Sequence, residues 1–150
     1  MQVWVDADAC PRAVREILIK MANRKKIMVT FISNQRHNIP DSEYIKAVQV
    51  AGGFDVADEF IIKQTSENDL IITADVPLAA AVVKKGAYAL SPRGRFFNAE
   101  NIQEALTMRN LKEELRSTGI DTGGQKPFSK KDRERFANRL DQFIRKYWKE

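Results

Sequence analysis

The chain has 150 residues, 43% hydrophobic and 30% charged, with a formal net charge of +5; this suits one soluble globular domain that buries a core without disulfides. A single cysteine excludes an intramolecular disulfide and a single histidine excludes a Cys/His zinc cluster, so any metal site must be built from carboxylates, which favour hard cations such as Mg²⁺ or Mn²⁺. The longest purely apolar run, Leu78 to Val83, is too short to span a bilayer, and no basic, apolar leader opens the chain, so a cytoplasmic protein without a membrane partner is expected.

Gln2 to Val5 is a short apolar strand ending at Asp6. Pro11 suits the first turn of a helix, where its missing N–H costs nothing, and Val14, Ile17, Leu18 and Met21 recur on one face to about Asn23. Ile27 to Ile32 reads as a second strand, closing on Ser33, Asn34 and Gln35. Asp41 or Ser42 then caps an expected second helix with Ile45, Val48 and Val50 as its apolar positions, ended by Gly52 and Gly53. Phe54 to Ala57 is expected to be extended, and Asp58 to Gln64 a short helix.

Leu70 to Ala74 reads as a buried strand delivering Asp75, followed by a helix over Val76 to Lys85 that Gly86 closes. Ala87 to Leu90 is a further short strand, leading into Ser91-Pro92-Arg93-Gly94-Arg95. Asn98 is expected to cap a long helix reaching Arg116, and 117–128, with three glycines and Pro127, reads as a loop. That loop's Thr122-Gly123-Gly124 lacks the lysine and spacing of a P-loop, and a mobile segment is the alternative. Ser129 and Asp132 resemble a capping box opening a last helix over 129–148, an appendage to a single domain spanning 1–150. Phe136, Leu140, Phe143 and Tyr147 form its core-facing stripe, and Arg135, Arg139, Lys146 and Lys149 lie along an adjacent face.

Continuous apolar strands alternating with helices indicate an α/β fold with a mainly parallel sheet. Ligands of such sheets bind at the carboxyl ends of the strands. Asp6 and Asp8 follow the first strand, Asp58 lies near the third extended piece, and Asp75 follows the strand at Leu70. Asp69 begins its strand and so belongs to the opposite edge. Clustered carboxylates repel one another unless a cation intervenes, so Asp6, Asp8, Asp58 and Asp75 are candidate catalytic and Mg²⁺ or Mn²⁺ ligands for chemistry on a phosphate ester. The alternative for each aspartate is a helix cap.

Arg93 and Arg95 lie at the same edge and could hold a substrate phosphate. Asn34 could reach a metal through water or make an Asx turn. Cys10 reads as a small packed residue, and His37 as a loop residue at the surface. Residues 1–125 contain 16 Lys/Arg and 16 Asp/Glu, whereas 126–150 contain 9 and 4, so the whole net charge sits on the last helix and its approach. That asymmetry fits a nucleic-acid partner, with Arg135 and Arg139 available to a phosphate backbone, or a solvated basic helix.

Several segments are specific: VDADACP at 5–11, SNQ at 33–35, DVAD at 55–58, DLIITADVPLA at 69–79, PRG at 92–94 and PFSKKDRERFANRLD at 127–141. Together they resemble the YaiI/YqxD family of uncharacterised bacterial proteins, which looks like a branch of the PIN-like nuclease fold. The resemblance implies a PIN-like three-layer sandwich and a metal-dependent nuclease active on RNA. By position, Asp6 matches the PIN acid after the first strand, Asp58 the acid opening the middle helix, and Asp75 the acid of the T-x-D segment; Asp8 has no firm counterpart.

Two other readings compete. A phosphatase similar to the haloacid dehalogenase class would use Asp6 as nucleophile and Asp8 as acid, but Pro11 leaves no room for the usual flap and the expected acids near Asp75 are missing. A non-catalytic RNA-binding module would keep the fold and a structural metal.

Overall fold

The computed structural model describes residues 1–53, 55–123 and 126–148. Six strands form one sheet in the order β3-β2-β1-β4-β5-β6: β1 (Val3–Asp6), β2 (Val29–Ser33), β3 (Ile45–Gln49), β4 (Leu70–Ile72), β5 (Tyr88–Leu90) and β6 (Phe96–Phe97). The first five pair in parallel and β6 pairs antiparallel to β5. Among the described residues, five α-helices complete the fold: α1 (Arg12–Lys25), α2 (Val56–Gln64), α3 (Val76–Lys84), α4 (Ile102–Ser117) and α5 (Lys130–Tyr147).

Side chains alternate across the sheet, as strand geometry requires. Val3, Val5, Phe31, Leu70, Ile72 and Leu90 enter a core shared with α1 and α5. Ile32, Ile71, Ala89 and Phe97 enter a second core with α2, α3 and α4. The result is a three-layer α/β sandwich with a mainly parallel sheet and a basic C-terminal helix. Burial on both faces explains why β4 reads as an apolar run and β2 carries so few polar residues. The capping box forms: Ser129 Oγ accepts from the Asp132 N–H, and Asp132 accepts from the Ser129 N–H. Phe136, Leu140 and Phe143 are buried and Ile144 joins them, while Tyr147 is 42% exposed and stacks on Tyr88 and Phe143. Of the other expectations for the tail and loops, those for Gly124, Lys149 and Phe54 fall outside the described residues.

The expected helix after Ser42 is instead strand β3. Ile45 faces the α1/α5 core while Val48 and Val50 face the other, as spacings of three and two require on a strand. The open edge of β2 needs backbone partners, and this segment supplies them, the Val29 N–H reaching the Tyr44 carbonyl at 2.8 Å and the Val50 N–H the Ser33 carbonyl at 2.8 Å. Ser42 caps no helix; its hydroxyl donates to Asn23 Oδ1.

Three boundaries also differ. Asp55 is in the left-handed region at φ 63° rather than extended, and Val56 already opens α2. The long helix begins at Ile102, because the Asn98 side chain caps a local turn, accepting from the Glu100 and Asn101 N–H groups. The pair Phe96–Phe97 forms β6, a strand too short to show a period in sequence.

Candidate functional site

The strand order reverses between β1 and β4: the chain leaves β1 toward β2 on one side and places β4 on the other. At such a switch point the flanking loops part and leave a crevice outside the carboxyl ends of the strands. Asp6 is the last residue of β1, and Thr73 to Asp75 follow β4.

Thr73 joins the two strands. Its hydroxyl donates to Asp6 Oδ2 at 3.0 Å and accepts from the Asp75 N–H at 3.0 Å. Asp75 is the N-cap of α3, Oδ1 accepting from the Leu78 N–H at 3.0 Å. The capping alternative for Asp75 is therefore real, but it uses one oxygen only. Asp58 sits in the first turn of α2, within hydrogen-bonding reach of the Asp75 carboxyl.

Their charges act on one another. Burial raises the proton affinity of Asp6, and the Asp75 and Asp8 charges add to it, against the Thr73 hydroxyl, which lowers it. Asp58 is pushed up to about 6, first by burial and then by Asp75, Asp6 and Asp55. Asp6, Asp58 and Asp75 thus share one crevice.

Asp8 stands apart. It lies in the 3₁₀ turn Ala7–Ala9 and faces the loop after β2. Its Oδ2 accepts from the Asn34 N–H at 2.7 Å, and its Oδ1 lies 3.2 Å from His37 Nε2. His37, expected at the surface, is held by this pairing. Asn34 makes no Asx turn: its Oδ1 is shielded from water without a hydrogen-bond partner among the described residues. Cys10 is buried, and desolvation pushes its thiol up to about 12, as a packed residue requires. Asp69 lies at the opposite edge, 5% exposed, accepting from the Gln2 and Ser66 N–H groups and from Trp4 Nε1. Among the described residues, no three His, Cys, Asp or Glu side chains are arranged as a ready-made metal cage.

The expected phosphate-binding arginines divide. Arg93 is paired with Asp132 at 3.0 Å and also donates to the Lys126 carbonyl. Arg135 reaches both Asp132 and the Arg93 carbonyl at 3.4 Å. These two fasten α5 to the loop after β5. Arg95 lies over the Phe97 ring at 5.2 Å. Arg139 lines a shallow groove on α5 with Lys131 and Asn138.

A cleft of about 650 Å³ opens beside the crevice, since Ala74 and Val76 on either side of Asp75 form part of its wall. Its cationic lining includes Arg109, Lys112 and Arg116 of α4. The sequence reading missed these three. Their spacing of three and four puts them on one helical face, a signal that the interleaved Glu113 and Glu114 obscure.

Fold and crevice together define a three-layer α/β protein with an acidic cluster at its topological switch point. Residues 4–146 match the family model described as "Uncharacterized BCR, YaiI/YqxD family", and the chain belongs to that family. It is 53% identical over 146 residues to a UPF0178 protein of Dechloromonas aromatica, covering 97% of each chain. It is 51% identical over 147 residues to one of Hydrogenovibrio crunogenus, covering 98% of this chain and 97% of the other. A UPF0178 protein of Proteus mirabilis is 49% identical over 144 residues, covering 96% of this chain and 95% of its own. No solved structure matches the chain. Among the described residues, no helix is long and apolar enough to cross a membrane.

Proposed function

We propose that this protein is a divalent-metal-dependent phosphodiesterase, a nuclease acting on RNA, with Asp6, Asp58 and Asp75 as ligands for Mg²⁺ or Mn²⁺. The observation that carries this reading is the convergence of three carboxylates on the switch-point crevice, where the Asp75 charge raises the proton affinity of both Asp6 and Asp58 and the Asp6 charge raises that of Asp58. Such mutual repulsion is relieved by a proton or by a cation. Mg²⁺ keeps several waters and takes one or two carboxylates directly. Asp58 and Asp75 form such a pair, with Asp6 beside them. When bound, the cation would polarise a phosphoryl oxygen of the ester and offset its developing negative charge.

The chain's own residues prepare that site. The Thr73 hydroxyl fixes one Asp6 oxygen and, through the Asp75 N–H, ties its position to α3. The Asp75 cap leaves Oδ2 without a backbone duty. Asp58, pushed up to about 6, holds a proton in mildly acidic solution and is ionised near neutrality, where its carboxylate could serve a cation. The excess positive charge of residues 126–150 draws a polyanion toward the molecule at long range. The phosphatase reading gains no support, because both Asp8 oxygens are occupied by Asn34 and His37 rather than turned toward Asp6.

The test is cleavage of single-stranded and structured RNA in Mg²⁺ or Mn²⁺ by the wild type and by Asp6→Asn. The expected outcome is metal-dependent cleavage by the wild type and a loss of about 100-fold or more in the variant, as removal of one charge-stabilising group costs. No cleavage by the wild type, or equal cleavage by both, would overturn the reading.

A further inference from the structure

We infer that the cleft between α4 and the β5–β6 strands is a nucleotide-binding subsite, which receives a segment of a nucleic-acid strand next to the acidic crevice. The inference extends the nuclease reading by giving the substrate a path, but the cleft's lining supports binding whether or not the acids turn the strand over.

Two properties of the cleft carry it. The first is charge. Arg93, Arg95, Arg109, Lys112 and Arg116 line it, against Glu113 as the sole acid in its lining. Arg93 is neutralised by Asp132, and Arg109 lies 3.1 Å from Glu113. Lys112 and Arg116 have no carboxylate partner among the described residues. Arg116 makes only a 3.4 Å contact to the Thr122 hydroxyl. The cleft therefore presents unneutralised cations to an anion, immediately beside a crevice that repels anions unless it holds a cation.

The second property is an apolar lining. Phe97, Ala105, Met108 and Pro92 line the same cleft. Met108 is 50% exposed although α4 buries Ile102 and Ala105 about two turns and one turn earlier. Met108, half in water at the mouth of a cationic cleft, offers an apolar surface to a ligand. A purely inorganic anion would not use it. A nucleotide would, because its phosphate meets the cations and the face of its base covers the methionine and the neighbouring apolar wall. The cleft volume of about 650 Å³ falls in the ordinary range for ligand sites.

The position of Asp75 sets the direction of the argument. Its neighbours Ala74 and Val76 belong to the cleft wall while its carboxylate faces the crevice. A strand lying along α4 would thus bring the next phosphate of its backbone to the three acids. The basic face of α5, with Lys131 and Arg139, lies in a separate groove and lacks an apolar lining.

The experiment is fluorescence anisotropy of a short fluorescein-labelled oligouridylate in EDTA, where metal-dependent chemistry is silent. The variants are Arg109→Ala/Lys112→Ala/Arg116→Ala in the cleft, Met108→Gln at its mouth, and Lys131→Ala/Arg139→Ala on α5. Unchanged far-ultraviolet circular dichroism and melting confirm that each remains folded. The cleft triple variant is expected to bind at least roughly 10-fold more weakly, with the slope of log affinity against log salt reduced by about 2. Met108→Gln is expected to bind roughly 5-fold more weakly at unchanged salt slope. The α5 variant is expected to stay within about twofold of the wild type. Binding by the triple variant at wild-type strength, a larger loss in the α5 variant, or no effect of Met108→Gln would each overturn the inference. If the wild type binds through the cleft yet cleaves nothing in Mg²⁺ or Mn²⁺, the nuclease reading fails and the subsite stands. If it cleaves and the triple variant binds normally, the subsite fails and the nuclease reading stands.

Discussion

At the scale of single residues, the site is an arrangement of repelling charges held in place by hydrogen bonds. Asp58 shows what this costs. Its folded-state value near 6 lies above the ordinary aspartate value of 3.8. The native state therefore binds more protons than the unfolded chain between those values, and stability falls as pH rises through that window. Asp58→Asn removes the charge. It is expected to raise stability at pH 7.5 by roughly 1 kcal/mol, a figure reduced from the full shift because the group is partly solvated. The gain should fade as the pH falls from about 6 to about 4, below which the wild-type carboxyl is protonated in both folded and unfolded chains. Thermal melts of both proteins across pH check this; a gain that persists in acid would mean that packing rather than charge is responsible.

At the scale of elements, the decisive contact is between α5 and the loop after β5. Gly94 has φ 88°, and a Cβ there would lie 2.6 Å from Arg135 Cγ and 2.9 Å from the Arg135 carbonyl carbon. Only glycine lets this loop pass beneath the helix, and the Arg93–Asp132 pair then closes over the approach. Gly94→Ala is expected to cost about 1–3 kcal/mol, from the left-handed backbone and the displaced helix. For a chain of this size that lowers the melting temperature by roughly 2–4 °C per kcal/mol. A melt unchanged from wild type would show that α5 yields without cost. The same scale explains one misreading. Ile45, Val48 and Val50 are spaced by three and two; the first step suits a helix and the second a strand. The open edge of β2 decided the matter, and that edge is invisible along the sequence. Asn98 misled for a related reason: a capping residue type identifies a turn, while the helix begins only where the following backbone allows.

At the scale of the whole molecule, the topology brings together what the chain separates. Asp6 and Asp75 were legible because each follows an apolar strand, and parallel strands place such residues at one edge. Asp58 was legible from the start of its helix. The role of Thr73 was not, because its hydroxyl meets Asp6 across 67 residues and only the β1–β4 pairing makes them neighbours. Nor was the divergence of Asp8 toward Asn34 and His37, which depends on how the β2–β3 loop folds back. The α4 cleft escaped for the same reason: three basic residues on an exposed helix become a cleft wall only once β5, β6 and the preceding loop stand opposite. What the sheet assembles is a crevice of three carboxylates whose repulsion a divalent cation would relieve. The most direct measurement is electron paramagnetic resonance of Mn²⁺ titrated into the protein at pH 7.5, comparing the wild type with Asp75→Asn, which keeps an oxygen to cap α3 but removes the charge. The expected result is loss of the free-ion signal with the wild type and recovery of it with the variant; equal signals from both would contradict a metal site at the head of β1 and β4.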